Sequence, residues 1–297
     1  MKKIAVGIAV VLGFTLLQPV SAQASSPSIV IIDTAVDTSI PALQSKVIHE
    51  VCITESVSAT CSNGTTFQEG KGAATLPSNI ALNKDFEHGT IMALIANKVN
   101  PNTNIVFIRV AGMQKNGRAG TFKTEGSIAK ALEWVIANKT KYNIVSVSAS
   151  VATSMASLNP GANYCPIRPI HAGVISSIDK LISLGVPTIF PSGNNRDSKR
   201  IVFPACIPQS VAVGGTGEDD SVSQFFNAGD LVDFYALAWY DTQVKRVAGT
   251  SGSAAAFSAF WAKNYKGDYQ STYNYIKSIA KTTGGAITTN SFVNVLG

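Results

Sequence analysis

Four residues carry groups that could act together as a hydrolytic centre, and each stands beside an expected element boundary. Asp33 directly follows the apolar run at 29–32. A carboxylate at the end of a buried strand is costly unless it is paired or hydrogen-bonded; capping a turn is its plainer role. His88 stands in Glu87-His88-Gly89-Thr90, where Gly89 lets other backbone come close. Of the other two histidines, His49 falls in a polar insertion and His171 opens a helix after a proline-rich loop. Ser251 lies in Gly249-Thr250-Ser251-Gly252-Ser253, ahead of a largely apolar helix. A hydroxyl there either caps the helix or attacks an electrophile, with the helix N–H groups favouring the negative charge that develops. Asn194 ends Pro191-Ser192-Gly193-Asn194. Its amide can donate to an oxyanion or simply complete a turn.

The elements that must position these groups follow from hydrophobic periodicity. Apolar runs at 29–32, 105–110, 144–147, 186–190 and 211–213 are short, β-branched and barely alternating. That is the pattern of strands buried on both faces. Ile128, Ala131, Leu132, Val135 and Ile136 follow helical spacing, as do Ile175, Ile178, Leu181 and Ile182. A third helix starts near His88 and runs through Met92, Ile95 and Val99. Strand–helix alternation predicts an α/β fold, a parallel β-sheet flanked by helices on both faces, in a single domain. Ligands of such sheets bind beyond the carboxyl ends of the strands, where Asp33 and Asn194 fall.

Composition narrows the class. The 297 residues are 45% hydrophobic and 14% charged, which argues against disorder. The net charge of +6 is scattered, with no basic stripe interleaved with aromatics, so nucleic acid is not an expected partner. Lys2 and Lys3, the apolar run at 4–17 and Val20-Ser21-Ala22 read as a signal peptide over 1–22, leaving a domain over 23–297. The chain is therefore expected to be exported, secreted or periplasmic, with no membrane association after cleavage. Four cysteines in an exported chain call for two disulfides. Three pairings exist; proximity joins Cys52 to Cys61 and leaves Cys165 with Cys206.

The order of the chemical groups is informative. No histidine follows Ser251, which excludes the α/β-hydrolase order of Ser, Asp, His. The order Asp33, His88, Ser251 is that of subtilisin. The chain resembles the subtilisin-like serine peptidases, the subtilases, over most of its length. Asp33-Thr34-Ala35 resembles the family's Asp-Thr-Gly, His88-Gly89-Thr90 its His-Gly-Thr-His, and Pro191-Ser192-Gly193-Asn194 its Ala-Ala-Gly-Asn. Gly249-Thr250-Ser251 matches its Gly-Thr-Ser, and the stretch at 145–150 resembles its substrate-binding strand. The resemblance implies a serine endopeptidase. Ser251 attacks a peptide carbonyl, His88 takes its proton, Asp33 orients the imidazole, and Asn194 stabilises the oxyanion. Ser148, Ala149 and Ser150 pair with a protein or peptide substrate as an added strand. Residues near Gly117 and Gly120 match the opposite edge, and Ala149 and Val202 line the pocket before the scissile bond. No metal or other cofactor enters this mechanism.

The sequence also departs from that pattern. Ile91 replaces the second histidine of His-Gly-Thr-His, and Gly252-Ser253 stands where the family has Met-Ala. Asn97, Asn100, Asn102 and Asn104 offer no carboxylate for a tight calcium site. Exported relatives usually carry a pro-segment, and none fits between Ala22 and Ile29. The chain then folds unaided, relies on an external inhibitor or folding helper, or lacks the activity that makes restraint necessary. A catalytically silent subtilase-fold binding protein is thus the rival reading. A metallohydrolase is disfavoured by the absence of His-Glu-x-x-His.

Overall fold

The computed structural model describes residues 26–77, 80, 82–120, 124–151, 165, 167–283 and 286–288. The expected signal peptide lies outside the described residues. The first strand, β1 (Ser28–Asp33), is followed by a short turn of helix α1 (Pro41–Gln44) and by β2 (Val47–Ile53), β3 (Ala59–Thr60) and β4 (Phe67–Glu69). Next come α2 (Glu87–Val99), β5 (Asn104–Arg109), β6 (Met113–Gln114), α3 (Ala129–Asn138), β7 (Ile144–Ala149) and α4 (Ala172–Ser183). The remainder is β8 (Thr188–Pro191), β9 (Val211–Thr216), β10 (Phe234–Leu237), β11 (Trp239–Asp241), β12 (Arg246–Ala248), α5 (Thr250–Lys263), α6 (Tyr269–Ile279), β13 (Lys281–Thr283) and β14 (Ala286–Thr288).

Among the described residues ten strands form the main sheet, in the order β13-β14-β10-β9-β8-β7-β1-β5-β2-β4. Its interior is parallel, and β4 and β13 close the two edges antiparallel. Both faces are covered. Ile29 and Ile31 of β1 pack into the cluster containing α2 and α5, while Val30 and Ile32 point into the one containing α3 and α4. That is the α/β architecture expected from the apolar runs, since a strand with two buried faces has no polar alternation.

Helix α5 is buried on nearly every side, from Thr250 to Ala262. Its small residues let it run across the sheet against β7, β8, β9 and α2. Ser146 and Ser258 hydrogen-bond at 2.8 Å where the helix crosses β7, satisfying two polar groups that burial would otherwise penalise. Ser251 is thereby held at the end of an element that cannot shift independently of the sheet.

Two disulfides, Cys52–Cys61 and Cys165–Cys206, are present with the pairing expected from the sequence. Among the described residues no helix is long and apolar enough to cross a membrane.

Candidate active site

Asp33 ends β1, beside the point where the strand order reverses between β5 and β7. Its carboxylate is buried, 2% exposed. It accepts from the backbone N–H of Thr34 at 2.6 Å and faces His88 Nδ1 at 2.8 and 2.9 Å. A carboxylate accepts only, so Nδ1 carries the ring proton and Nε2 is left as a base.

The link between strand and helix is tight. Gly89 follows His88, and a Cβ there would stand 2.6 Å from both the Ala35 carbonyl oxygen and Phe107 Cζ. Glycine is therefore what allows α2 to approach β1 closely enough for the His88–Asp33 contact. Thr34 stitches the same junction: its hydroxyl donates to the Phe86 carbonyl at 2.8 Å and accepts from the Gly89 N–H at 3.0 Å.

The electrostatics favour a readily protonated histidine. Loss of water around the ring works against its charge, but Asp33 outweighs this through attraction and a hydrogen bond, raising the His88 pKa. Lys245 opposes the rise and Glu87 adds to it. These two close an ion pair at the mouth of the cleft.

Ser251 is the second residue of α5 and shares a cleft of about 250 Å³ with His88 and Asn194. Asn194 is held in one orientation. Both the backbone N–H and the hydroxyl of Thr250 lie 3.1 Å from Asn194 Oδ1. An N–H can only donate, so Oδ1 faces Thr250 and the amide NH₂ is the end left for a ligand. Gly193 adopts φ of +118°, and a Cβ there would meet Val202 Cγ1 at 2.8 Å.

The remaining expected site residues are placed unevenly. Ser148 and Ala149 are buried at the end of β7, and Ser150, half-buried, donates from its hydroxyl to the Ser251 carbonyl at 3.4 Å. Val202, expected to line the same pocket as Ala149, is like it fully buried, and a Cβ on Gly193 would stand 2.8 Å from its Cγ1. His49, expected in a polar insertion, is instead part of a strand of the main sheet. It lies on β2, stacked on Tyr142 and bonded to Glu69.

Three residues that hold the site were not singled out in the sequence: Thr34, Thr250 and Asn227. The two threonines sit inside recognisable tripeptides, a signal that was available. Asn227 had none.

With this geometry in view, the relatives can be compared. The family model described as the Subtilase family matches residues 24–294. The chain belongs to the subtilase family. A cuticle-degrading serine protease of Arthrobotrys oligospora is 23% identical over 219 residues, 68% of this chain and 48% of that protein. Subtilisin-like protease 2 of Trichophyton verrucosum is 26% identical over 181 residues, covering 57% of this chain and 38% of the relative. This subtilase thus spans less than half the length of these two relatives. Among solved structures, a protease from Pseudoalteromonas arctica superposes with a TM-score of 0.67 at 16% identity, covering 92% of this chain and 90% of that one. A cold-adapted subtilisin-like serine proteinase gives 0.59 at 18% identity, covering 89% and 88%. At such identities these likenesses speak for the fold.

Proposed function

We propose that this subtilase is an exported serine endopeptidase that hydrolyses protein or peptide substrates through Asp33, His88 and Ser251. The observation that carries the reading is the contact of His88 Nδ1 with both carboxylate oxygens of Asp33, in the cleft that also contains Ser251 and Asn194. His88 Nε2 takes the Ser251 proton as Oγ attacks the carbonyl carbon, and the tetrahedral oxyanion forms beside the Asn194 amide and the Ser251 N–H. Collapse breaks the C–N bond. His88 returns the proton to the departing amine, and water then releases the acyl group by the same route in reverse. Asp33 keeps the imidazole in the productive tautomer and stabilises its charged form. Ser150, just past the end of β7, is the group we assign to backbone pairing with the acyl side of the substrate. Two disulfides and the amino-terminal sequence support export.

Labelling of the purified chain with a fluorophosphonate probe tests this, with the modified peptide mapped and Ser251→Ala as control. A label on Ser251 is expected. A folded chain with both disulfides that takes no label would sink the enzymatic reading in favour of a silent binding protein.

A further inference from the structure

The cleft beside Ser251 continues away from β7 into the space between α2 and β12. Ile91 and Met92 line one side, Val247 and Ala248 the other, and Gly252 adjoins Ser251. Its volume of about 250 Å³ falls below the roughly 300–1,000 Å³ of sites for drug-sized ligands, which is a size for one side chain.

Which side of the scissile bond it serves follows from His88. The histidine lines this pocket, whereas none of Ser148, Ala149 and Ser150 does. The group that accepts the serine proton must hand it to the departing amine. The substrate on the His88 side of the bond is therefore the leaving group, and its first residue stands over this pocket.

The depth comes from Gly252. A Cβ at that position would lie 3.2 Å from Tyr240 Cδ2 and 3.3 Å from Ile95 Cδ1, both of them buried side chains. With those two behind it, a longer side chain at 252 has the pocket to grow into. Glycine leaves that space empty. Of the charged lining residues, Lys245 is engaged by Glu87 and Lys84 is exposed.

We propose that this pocket is a specificity site for the residue immediately after the scissile bond, and that it selects a bulky apolar side chain. The inference rests on the catalytic reading above and assigns the leaving-group preference of the same site. Apolar pockets discriminate by roughly 10–200-fold per methylene, so Leu or Phe should be preferred to Ala by at least about tenfold.

The test is digestion of a mixed peptide library by the full mature chain, with the new amino termini read by mass spectrometry. Leu, Ile, Met and Phe should dominate those termini. Gly252→Met fills the pocket from the nucleophile side, and Val247→Tyr, at a half-exposed position, fills it from β12. Either variant should shift the profile towards Gly, Ala and Ser. The readout is a ratio within one digest, so a general loss of rate cancels. Val247→Tyr carries the test if Gly252→Met does not fold. A flat profile, a preference for Asp or Glu, or folded variants with the parental profile would overturn the proposal. Should the parent neither cleave nor take the phosphonate, the catalytic reading falls. Binding of tetrapeptides beginning with Leu or Ala to the same preparation then decides the pocket alone: weaker binding of the Leu peptide by Val247→Tyr supports it, and equal affinity for the two peptides refutes it.

Discussion

Asn227 Oδ1 accepts the backbone N–H of Asn195 at 2.6 Å, one residue beyond the amide assigned to the oxyanion. The same side chain donates to the Arg200 carbonyl at 2.9 Å. Its backbone N–H donates to the Gly193 carbonyl at 2.8 Å, and its carbonyl accepts the Ser192 hydroxyl at 2.7 Å. One fully buried residue thus pins the loop that carries Asn194 from both sides. Asn227→Ala keeps the two backbone bonds and removes the two side-chain bonds. Each lost bond is worth about 0.5–1.5 kcal/mol net, so the melting temperature should fall. Because the loop is needed most when the oxyanion forms, kcat should fall with little change in KM. Thermal melts together with peptide kinetics check this. A variant that melts early but turns over normally would show that Asn227 stabilises the fold without setting the position of Asn194.

The raised pKa of His88 gives a pH dependence with a definite sign. A general base works in its neutral form, so kcat/KM should decline as pH falls through a value above the roughly 6.5 of free imidazole. Lys245 pulls that pKa down and Glu87 pushes it up. Lys245→Met should therefore move the acid limb to higher pH, and Glu87→Gln should move it lower. The two variants break the same ion pair, yet they are expected to shift the profile in opposite directions. A shared direction would mean that the pair acts by holding the start of β12 and not through its charges. Full pH–rate profiles of the parent and both variants make the comparison.

Much of this arrangement was legible because its parts are local. A strand buried on both faces must be apolar and β-branched, and the chemical groups sit in short motifs at strand ends and helix starts. The strand β2, one in from the edge strand β4, was hidden by its polarity. His49 and Glu50 interrupt the apolar pattern, and each finds partners far along the chain: His49 bonds Glu69, and Glu50 accepts the N–H groups of Gly72 and Ala74. Asn227 was hidden for the same reason, since its role exists only through contacts made about 30 residues away, at 192–200. The sequence does not reveal which way a loop side chain turns; Val202 turns inward, into the space left by Gly193.

The junction of β1 and α2 offers a graded pair of substitutions. Thr34→Val keeps the shape but removes the hydroxyl that joins the Phe86 carbonyl to the Gly89 N–H. A hydrogen bond is worth about 0.5–1.5 kcal/mol net, so a modest loss of stability is expected. Gly89→Ala is harsher, because the backbone oxygen of Ala35 occupies the space the methyl group needs. The helix must retreat from β1, and the His88–Asp33 distance lengthens with it. Kinetics should show a small loss of kcat for Thr34→Val and a loss of more than about tenfold for Gly89→Ala, in line with the sensitivity of catalysis to misplaced groups. The imidazole proton resonance of His88 should also move in Gly89→Ala. An unchanged resonance and rate would mean that the junction tolerates displacement and that the glycine is not what sets the contact.

The two disulfides should differ in both accessibility and contribution. Cys52 and Cys61 are fully buried, and the loop they close spans 9 positions. Cys165 is half-buried, Cys206 lies near the surface at 8% exposed, and their loop spans 41. Restraint of the unfolded chain grows with loop length, giving about 3 kcal/mol for the short loop and about 4 kcal/mol for the long one on the chain-entropy account. A thiolate reductant must reach a sulfur to attack it, and here only the long-loop pair offers one without prior opening of the core. Mild reduction of the native protein should therefore open Cys165–Cys206 first. Differential alkylation should find label on Cys165 and Cys206 while Cys52 and Cys61 remain protected, and the denaturant midpoint should already have fallen at that stage. Label appearing first on Cys52 or Cys61 would mean that β2 and the loop at 53–60 open more readily than their burial implies.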